Sequence, residues 1–269
     1  MKTQYSDIQT ERPEPGPARN SPQKPGSSGV QIGYVQHIGN RQTQQDSAGA
    51  TSSGEFAVVA DGMGGLADGE VVSDLVVRSI LGFAKDLGPD PDIAALLQII
   101  QWTNLAVNNA LGQDKLYQCG STMVCSLIKN RKLLWASIGD SRIYLFRGGG
   151  LIQLNREHNL LHKQLAQAVQ GDLSFRDIGP KSNLGNLTSF FGMGKLADVD
   201  FSVEPITLCR GDWILLMSDG IYHFLSEAEI LQGLYEGGDP QSACEKIMMR
   251  VKAQNHPYQD NLSLVIQSV

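Results

Sequence analysis

No stretch of this sequence approaches the roughly 18 consecutive apolar residues that span a bilayer, which excludes a helical membrane protein. The N-terminus is polar where a secretory signal would be apolar, so the expected location is the cytoplasm. Cysteine is scarce, and Cys119, Cys125, Cys209 and Cys244 form no CxxC pair. That pattern excludes a disulfide scaffold and a cysteine-ligated zinc site, and it leads to the expectation of buried, reduced thiols. Positive charge is also short. With 22 Lys and Arg against 28 Asp and Glu, the chain has a net charge of −6 and no basic cluster able to hold a phosphate backbone. Nucleic acid is excluded as a partner on that ground. Large apolar side chains are nearly missing from residues 1–29, which hold five of the 11 prolines (Pro13, Pro15, Pro17, Pro22 and Pro25). A segment of that composition cannot bury enough surface to order itself, so 1–29 reads as a disordered tail ahead of one domain over 30–269.

What the chain does have is a set of apolar runs that end on aspartate beside glycine. Phe56 to Ala60 delivers Asp61-Gly62-Met63-Gly64-Gly65, Trp213 to Ser218 delivers Asp219-Gly220, and Leu133 to Ile138 delivers Gly139-Asp140. Carboxylates carried on strand ends are suited to hard, oxygen-liganded cations gathered along one sheet edge. Taken alone, Asp140 is also what an ordinary turn looks like. The run Gly62-x-Gly64-x-x-Ala67 formally meets a dinucleotide-binding fingerprint, but that reading needs a second strand ending on an acid about 20 residues on. Here Asp86 lies within a helical pattern, and Gly88 to Pro91 leads into another helix, so the nucleotide-dependent oxidoreductase reading fails on topology.

The remaining periodicity gives the architecture. Val30–Gln36 reads as an opening strand, and helical spacing runs over 68–87 and 92–111. Short β-rich runs at 121–128, 133–138, 142–146 and 151–154 have the spacing of an antiparallel meander. After an irregular 156–197 containing a helical patch at 160–169, strands are expected at 199–208 and 213–217, helices at 227–235 and 242–253, and a last strand at 262–267. The sum is an α+β domain, with helices outside a β-sandwich and the Asp-bearing ends on one side.

Several motifs in order carry a family resemblance. They are Gly39-x-Arg41-x-x-x-Gln45-Asp46, Val59-Ala-Asp61-Gly62-Met63-Gly64-Gly65, Gly120-Ser-Thr122, Gly139-Asp140-Ser-Arg142, Met217-Ser-Asp219-Gly220 and Asp260-Asn261. Together they resemble the metal-dependent serine/threonine protein phosphatases of the PP2C (PPM) family, in its bacterial form. The resemblance covers nearly all of 30–269. It implies an α-β-β-α sandwich with a flap at about 160–195, and Asp61, Asp219, Asp260 and the carbonyl of Gly62 on two Mn²⁺ or Mg²⁺ ions. Asp46 would be a ligand or stand just behind one, and Asp140 with Asp219 would hold a looser third ion. Arg41 would grip the substrate phosphate. Met63 stands where eukaryotic relatives place a histidine proposed to protonate the leaving group.

The residue types agree with that chemistry. The chain shows no activated Cys-His or Ser-His arrangement, whereas two divalent cations can lower the pKa of a bridging water and present it in line with phosphorus. Carboxylates suit Mg²⁺ and Mn²⁺, while zinc would draw His and Cys. His158, His162, His223 and His256 are scattered in sequence and are expected to be structural. The expected substrate is a phosphorylated protein, made so by a cognate Ser/Thr kinase, and the enzyme is expected to be a monomer. The competing function is a catalytically impaired relative that uses the same fold to bind or sense. Such a protein should have lost metal carboxylates, and here all of them remain.

Overall fold

A computed structural model describes residues 29–65, 68–88, 90–180 and 183–269. The tail expected over 1–29 lies, except for Gly29, outside the described residues. In chain order the elements are β1 (Gln31–His37), β2 (Asp46–Ala50), β3 (Phe56–Met63), α1 (Asp68–Ala84), α2 (Ile93–Lys115), β4 (Gly120–Ser121), β5 (Met123–Lys129), β6 (Lys132–Ile138), β7 (Arg142–Arg147) and β8 (Gly150–Gln153). There follow α3 (Leu160–Gln170), a 3₁₀ turn (Phe175–Asp177), β9 (Asp200–Phe201), β10 (Ile206–Thr207), β11 (Trp213–Met217), α4 (Asp219–Tyr222), α5 (Glu227–Gly237), α6 (Pro240–Ala253) and β12 (Leu262–Ser268).

Two antiparallel sheets are stacked face to face. One has the order β1-β12-β11-β7-β8; the other runs β10-β6-β5-β3-β2, with β4 beside β3 and β9 beside β6. Strand alternation sorts the side chains into separate cores. In β3, Phe56, Val58 and Ala60 meet Val76, Ile80, Leu96 and Ile100 of α1 and α2, while Ala57 and Val59 meet the opposite sheet through Ile143, Leu216 and Val265. In β12, Leu262, Leu264 and Ile266 pack against Ile230, Leu234, Ala243 and Ile247 of α5 and α6. Strands covered on both faces must be apolar throughout, which is why β3, β5 and β11 read as continuous runs. Each buried Val, Leu or Ile stabilises the fold by about 1.5–3 kcal/mol, and Leu215→Ala in β11 would cost about 2–5 kcal/mol because it also leaves a cavity.

Helix ends follow from local chemistry. Ser226 and Glu229 form a reciprocal capping box on α5, and Asp239 caps α6 with Pro240 in its first turn.

Three expectations need correction. The strands at 121–154 are not one meander: β5 pairs with β6 and β7 pairs with β8, but β6 and β7 belong to different sheets. The turn at Gly139–Ser141 carries the chain across the sandwich, because inward-facing residues of both sheets must share one core. The strand expected over 199–208 is reduced to two short pairings with β6, since Ser202 turns its hydroxyl to the backbone of Trp135 and Pro205 supplies no donor. Of the four thiols, Cys119, Cys125 and Cys244 are buried but Cys209 is exposed, at a turn entering β11. Strand β2 carries no strand signal in its Asp-Ser-Ala-Gly-Ala sequence, which has little β propensity; it is held by its pairing with β3.

Connectivity places the site. Strands β3 and β6 are each antiparallel to β5, so both end at the same edge; in the other sheet, β11 ends where β12 begins.

Candidate metal centre

At that shared edge a cavity of about 260 Å³ is lined by Arg41, Gln45, Asp61, Gly62, Met63, Thr122, Asp140, Asp219 and Asp260, with Leu187 contributed by the 160–195 segment. Each acid is held by a different device. Asp61 is fixed through its backbone: its N–H donates to Thr122 Oγ1 at 3.0 Å, and its carbonyl accepts from Thr122 N–H at 2.8 Å and from Ser121 Oγ at 3.1 Å. Thr122 Oγ1 lies 2.8 Å from Ser141 Oγ, which ties the Asp61 strand to the Asp140 corner. The Gly120-Ser-Thr122 motif is therefore a brace for two acids rather than a ligand set.

Gly62 and Gly220 are required by close approach. A Cβ on Gly62 would lie 2.2 Å from the carbonyl oxygen of Gly69 and 2.5 Å from that of Gln45, and one on Gly220 would lie 1.9 Å from that of Asn261. The glycines let helix α1 and the Asp260 loop close onto the acid-bearing turns.

Asp46 faces Asp61 directly across the β2–β3 ladder. Its Oδ2 accepts from Ser218 Oγ at 2.6 Å, and Ser218 Oγ in turn accepts from Ser263 N–H at 2.9 Å. Asp46 is 3% exposed and stands behind the cavity wall. Asp219 opens α4 after Ser218. Buried Oδ1 atoms of Asp46 and Asp219 have no hydrogen-bond partner among the described residues.

The charges conflict. Burial, and then the neighbouring Asp46 and Asp219, push the Asp61 carboxyl well above its ordinary range. Burial raises Asp46 to about 7, with Ser218 opposing and Asp219 adding to the rise. Burial, then Asp219 and Glu157, raise Asp140 to about 7. Like charges opposite one another in a ladder are destabilising, and buried unpaired oxygens are costly. A hard divalent cation answers both penalties. Among the described residues no three His, Cys, Asp or Glu side chains close on one point. The acids line a wall, an arrangement that fits ions keeping part of their water shell, as Mg²⁺ does.

Arg41 reaches the same wall. Its Nη2 lies 2.5 Å from Asp260 Oδ2, and the guanidinium side chain is 57% exposed. Asp260 Oδ1 accepts from the N–H of Asn261 at 2.8 Å.

Two residues have roles at the site that the sequence reading did not assign. Asn261 donates to the carbonyls of Ile38 and Thr43 and accepts from Gln45 N–H at 2.7 Å, so it moulds the loop carrying Arg41 and Gln45. Its signal was its place beside Asp260. His223, expected to be structural, has Nδ1 at 3.4 Å from Asp219 Oδ2, and that contact raises its pKa. Its spacing of four from Asp219 on a helical turn could have shown this. His158 is structural as expected, its Nδ1 accepting from Gly139 N–H at 3.1 Å.

Comparison with known proteins bears on the family and the fold. A family profile described as Protein phosphatase 2C matches residues 35–263. The protein phosphatase PhpP of Streptococcus pneumoniae is 33% identical over 204 residues, covering 73% of this chain and 75% of that one. The crystal structure of the Mycobacterium tuberculosis serine/threonine phosphatase PstP/Ppp superposes with a TM-score of 0.75 at 24% identity, over 89% of this chain and 98% of that one. A structure of the PstP catalytic domain in complex with two manganese ions superposes at 0.73, with 24% identity and coverage of 89% and 97%.

Proposed function

This chain belongs to the protein phosphatase 2C family and is a serine/threonine phosphatase of its bacterial branch, and we propose the following division of labour within its cavity. Asp61, Asp219, Asp260 and the carbonyl of Gly62 would hold two Mn²⁺ or Mg²⁺ ions, and Asp140 with Asp219 a third, weaker one. The manganese in the PstP complex supports that choice of metal. When bound, the ions would supply charge neutralisation for the phosphate and a water of lowered pKa for attack at phosphorus.

The chain's own groups do the rest. Asp46, locked by Ser218, adds negative charge behind Asp61 and draws cations to the wall. Arg41, more than half exposed at the mouth, can offer paired N–H groups to two non-bridging phosphate oxygens and stabilise charge that builds there. The new P–O bond forms from water and the bond to the serine or threonine oxygen breaks, leaving inorganic phosphate and a hydroxyl that takes up a proton. Met63 lines the cavity and has no proton to give, so that proton comes from another position.

The observation that carries this reading is the mutually repelling set Asp61, Asp140 and Asp219 lining one cavity, with Asp46 buried behind it. It also disfavours the impaired binding module, which has no need of such a set. Asp219→Asn tests it: turnover of an aryl phosphate should fall at least 100-fold with the circular dichroism unchanged, and wild-type kcat would refute the ligand assignment. The substrate is a phosphoprotein, and we attribute its phosphate to a Ser/Thr kinase of the same cell.

A further inference from the structure

The wall that carries Arg41 and Asp260 continues outward into a row of aromatic rings. Phe224 and His256 have ring centroids 5.1 Å apart at 58°, and His256 and Tyr258 are 5.9 Å apart at 58°. Tyr258 is 81% exposed, so it adds almost nothing to any core. Single exposed aromatics need no explanation, but a contiguous row beside a reaction site marks an interaction surface.

The row is built, not accidental. Tyr258 N–H donates to His256 Nδ1 at 3.2 Å, which orients the imidazole between its two neighbours. The carbonyl of His256 accepts from Asn40 Nδ2 at 2.8 Å, and Asn40 N–H donates to Gln259 O at 2.9 Å, so this loop is fastened to the residue preceding Arg41. Gln259 Nε2 donates to the carbonyl of Gly220 at 2.9 Å, fastening it also to the Asp219 turn. Tyr258 stands two residues from Asp260, at most about 7 Å along an extended chain. A substrate polypeptide covers the same span from its phosphorylated residue to the second residue on either side.

We propose that Phe224, His256 and Tyr258 form a subsite for an apolar or aromatic side chain lying one or two residues from the phosphoserine or phosphothreonine of the substrate polypeptide. The proposal rests on the phosphatase reading and deepens it. Metal carboxylates and Arg41 recognise the phosphate group, which is the same in an aryl phosphate and in a protein; they cannot select among phosphoproteins. The ring row can. It contains no carboxylate or ammonium; Phe224 is half-buried against the α5–α6 core and backs His256 and Tyr258, which are exposed and offer surface that aromatic or aliphatic partners favour over water. An acidic or strongly hydrated flanking residue gains nothing there.

The test uses the full chain and four enzymes: wild type, Tyr258→Ala, Tyr258→Phe and His256→Ala. Substrates are p-nitrophenyl phosphate and a Ser/Gly-rich phosphothreonine peptide in which Phe is scanned through the two positions on each side. In wild type, Phe at one of these positions should raise kcat/KM about tenfold, through KM. Tyr258→Ala and His256→Ala should lose most of that gain, Tyr258→Phe should keep it, and p-nitrophenyl phosphate should be hydrolysed equally by all four. Equal treatment of all peptides by an enzyme active on the aryl phosphate overturns the subsite and leaves the phosphatase reading standing. A Phe preference that survives in Tyr258→Ala and His256→Ala also overturns it. Inactivity of wild type on every substrate, metals supplied, overturns the phosphatase reading and the subsite with it.

Discussion

Asp46 and Asp61 stand directly opposite one another in the β2–β3 ladder, two acids at a position where a sheet ordinarily pairs neutral or opposite charges. This makes the metal-free protein sensitive to pH in a defined direction. Both carboxyls, with Asp140, have pKa values raised in the folded state, Asp46 and Asp140 to about 7. Ionisation therefore favours unfolding. The stability they contribute is complete below the ordinary carboxyl value of about 4 and is lost as pH climbs through about 7. In chelator, the melting temperature should fall between pH 5 and pH 8, saturating Mg²⁺ should remove most of that slope, and Asp46→Asn should flatten it. Differential scanning fluorimetry decides this; a metal-free melting temperature that rises with pH would be inconsistent with the charge cluster.

Gln45 lines the cavity, its Nε2 3.4 Å from the carbonyl of Gly65, a neutral amide where a Glu would add a negative charge. A neutral amide gives one less negative charge to the second ion. Activity should saturate only near millimolar metal, by analogy with weak all-oxygen sites. Gln45→Glu should lower the half-saturating Mn²⁺ concentration several-fold and change kcat less. Superimposable titrations of the two proteins would show that Gln45 does not act on the ion.

Arg41 is weighed by its fork geometry. Arg41→Lys keeps the charge but cannot donate two parallel N–H groups. We expect kcat/KM for a phosphopeptide to fall about tenfold, or about 1.4 kcal/mol, and Arg41→Ala to fall further. Steady-state kinetics at saturating metal make the check, and wild-type kcat/KM in Arg41→Ala would exclude any contact with phosphate.

Much of this was legible in the chain itself. Strand ends such as Met217-Ser218-Asp219-Gly220 announce themselves, because a strand covered on both faces must be apolar and its polar terminus stands out. The helices expected at 227–235 and 242–253 coincide with α5 and α6 except for two residues at one end of each. What stayed hidden depends on packing between distant segments. The split of β6 and β7 between sheets cannot be read from spacing, since a turn within one sheet and a crossover between two use the same few residues. Strand β2 exists only because β3 pairs with it. The site was legible as residue types but not as arrangement. Nothing local says that Asp46 would be walled in behind Ser218, that Arg41 would lean on Asp260, or that Asn261 would shape the loop in front of them.

The most direct test of the central claim is hydrolysis of p-nitrophenyl phosphate by protein stripped of metal, assayed with EDTA and again after Mn²⁺ or Mg²⁺ is restored in excess. The carboxylate wall predicts no turnover above background in EDTA and full recovery on adding either ion. Turnover that persists under complete chelation would contradict it, because the account makes bound cations the source of the attacking water's lowered pKa.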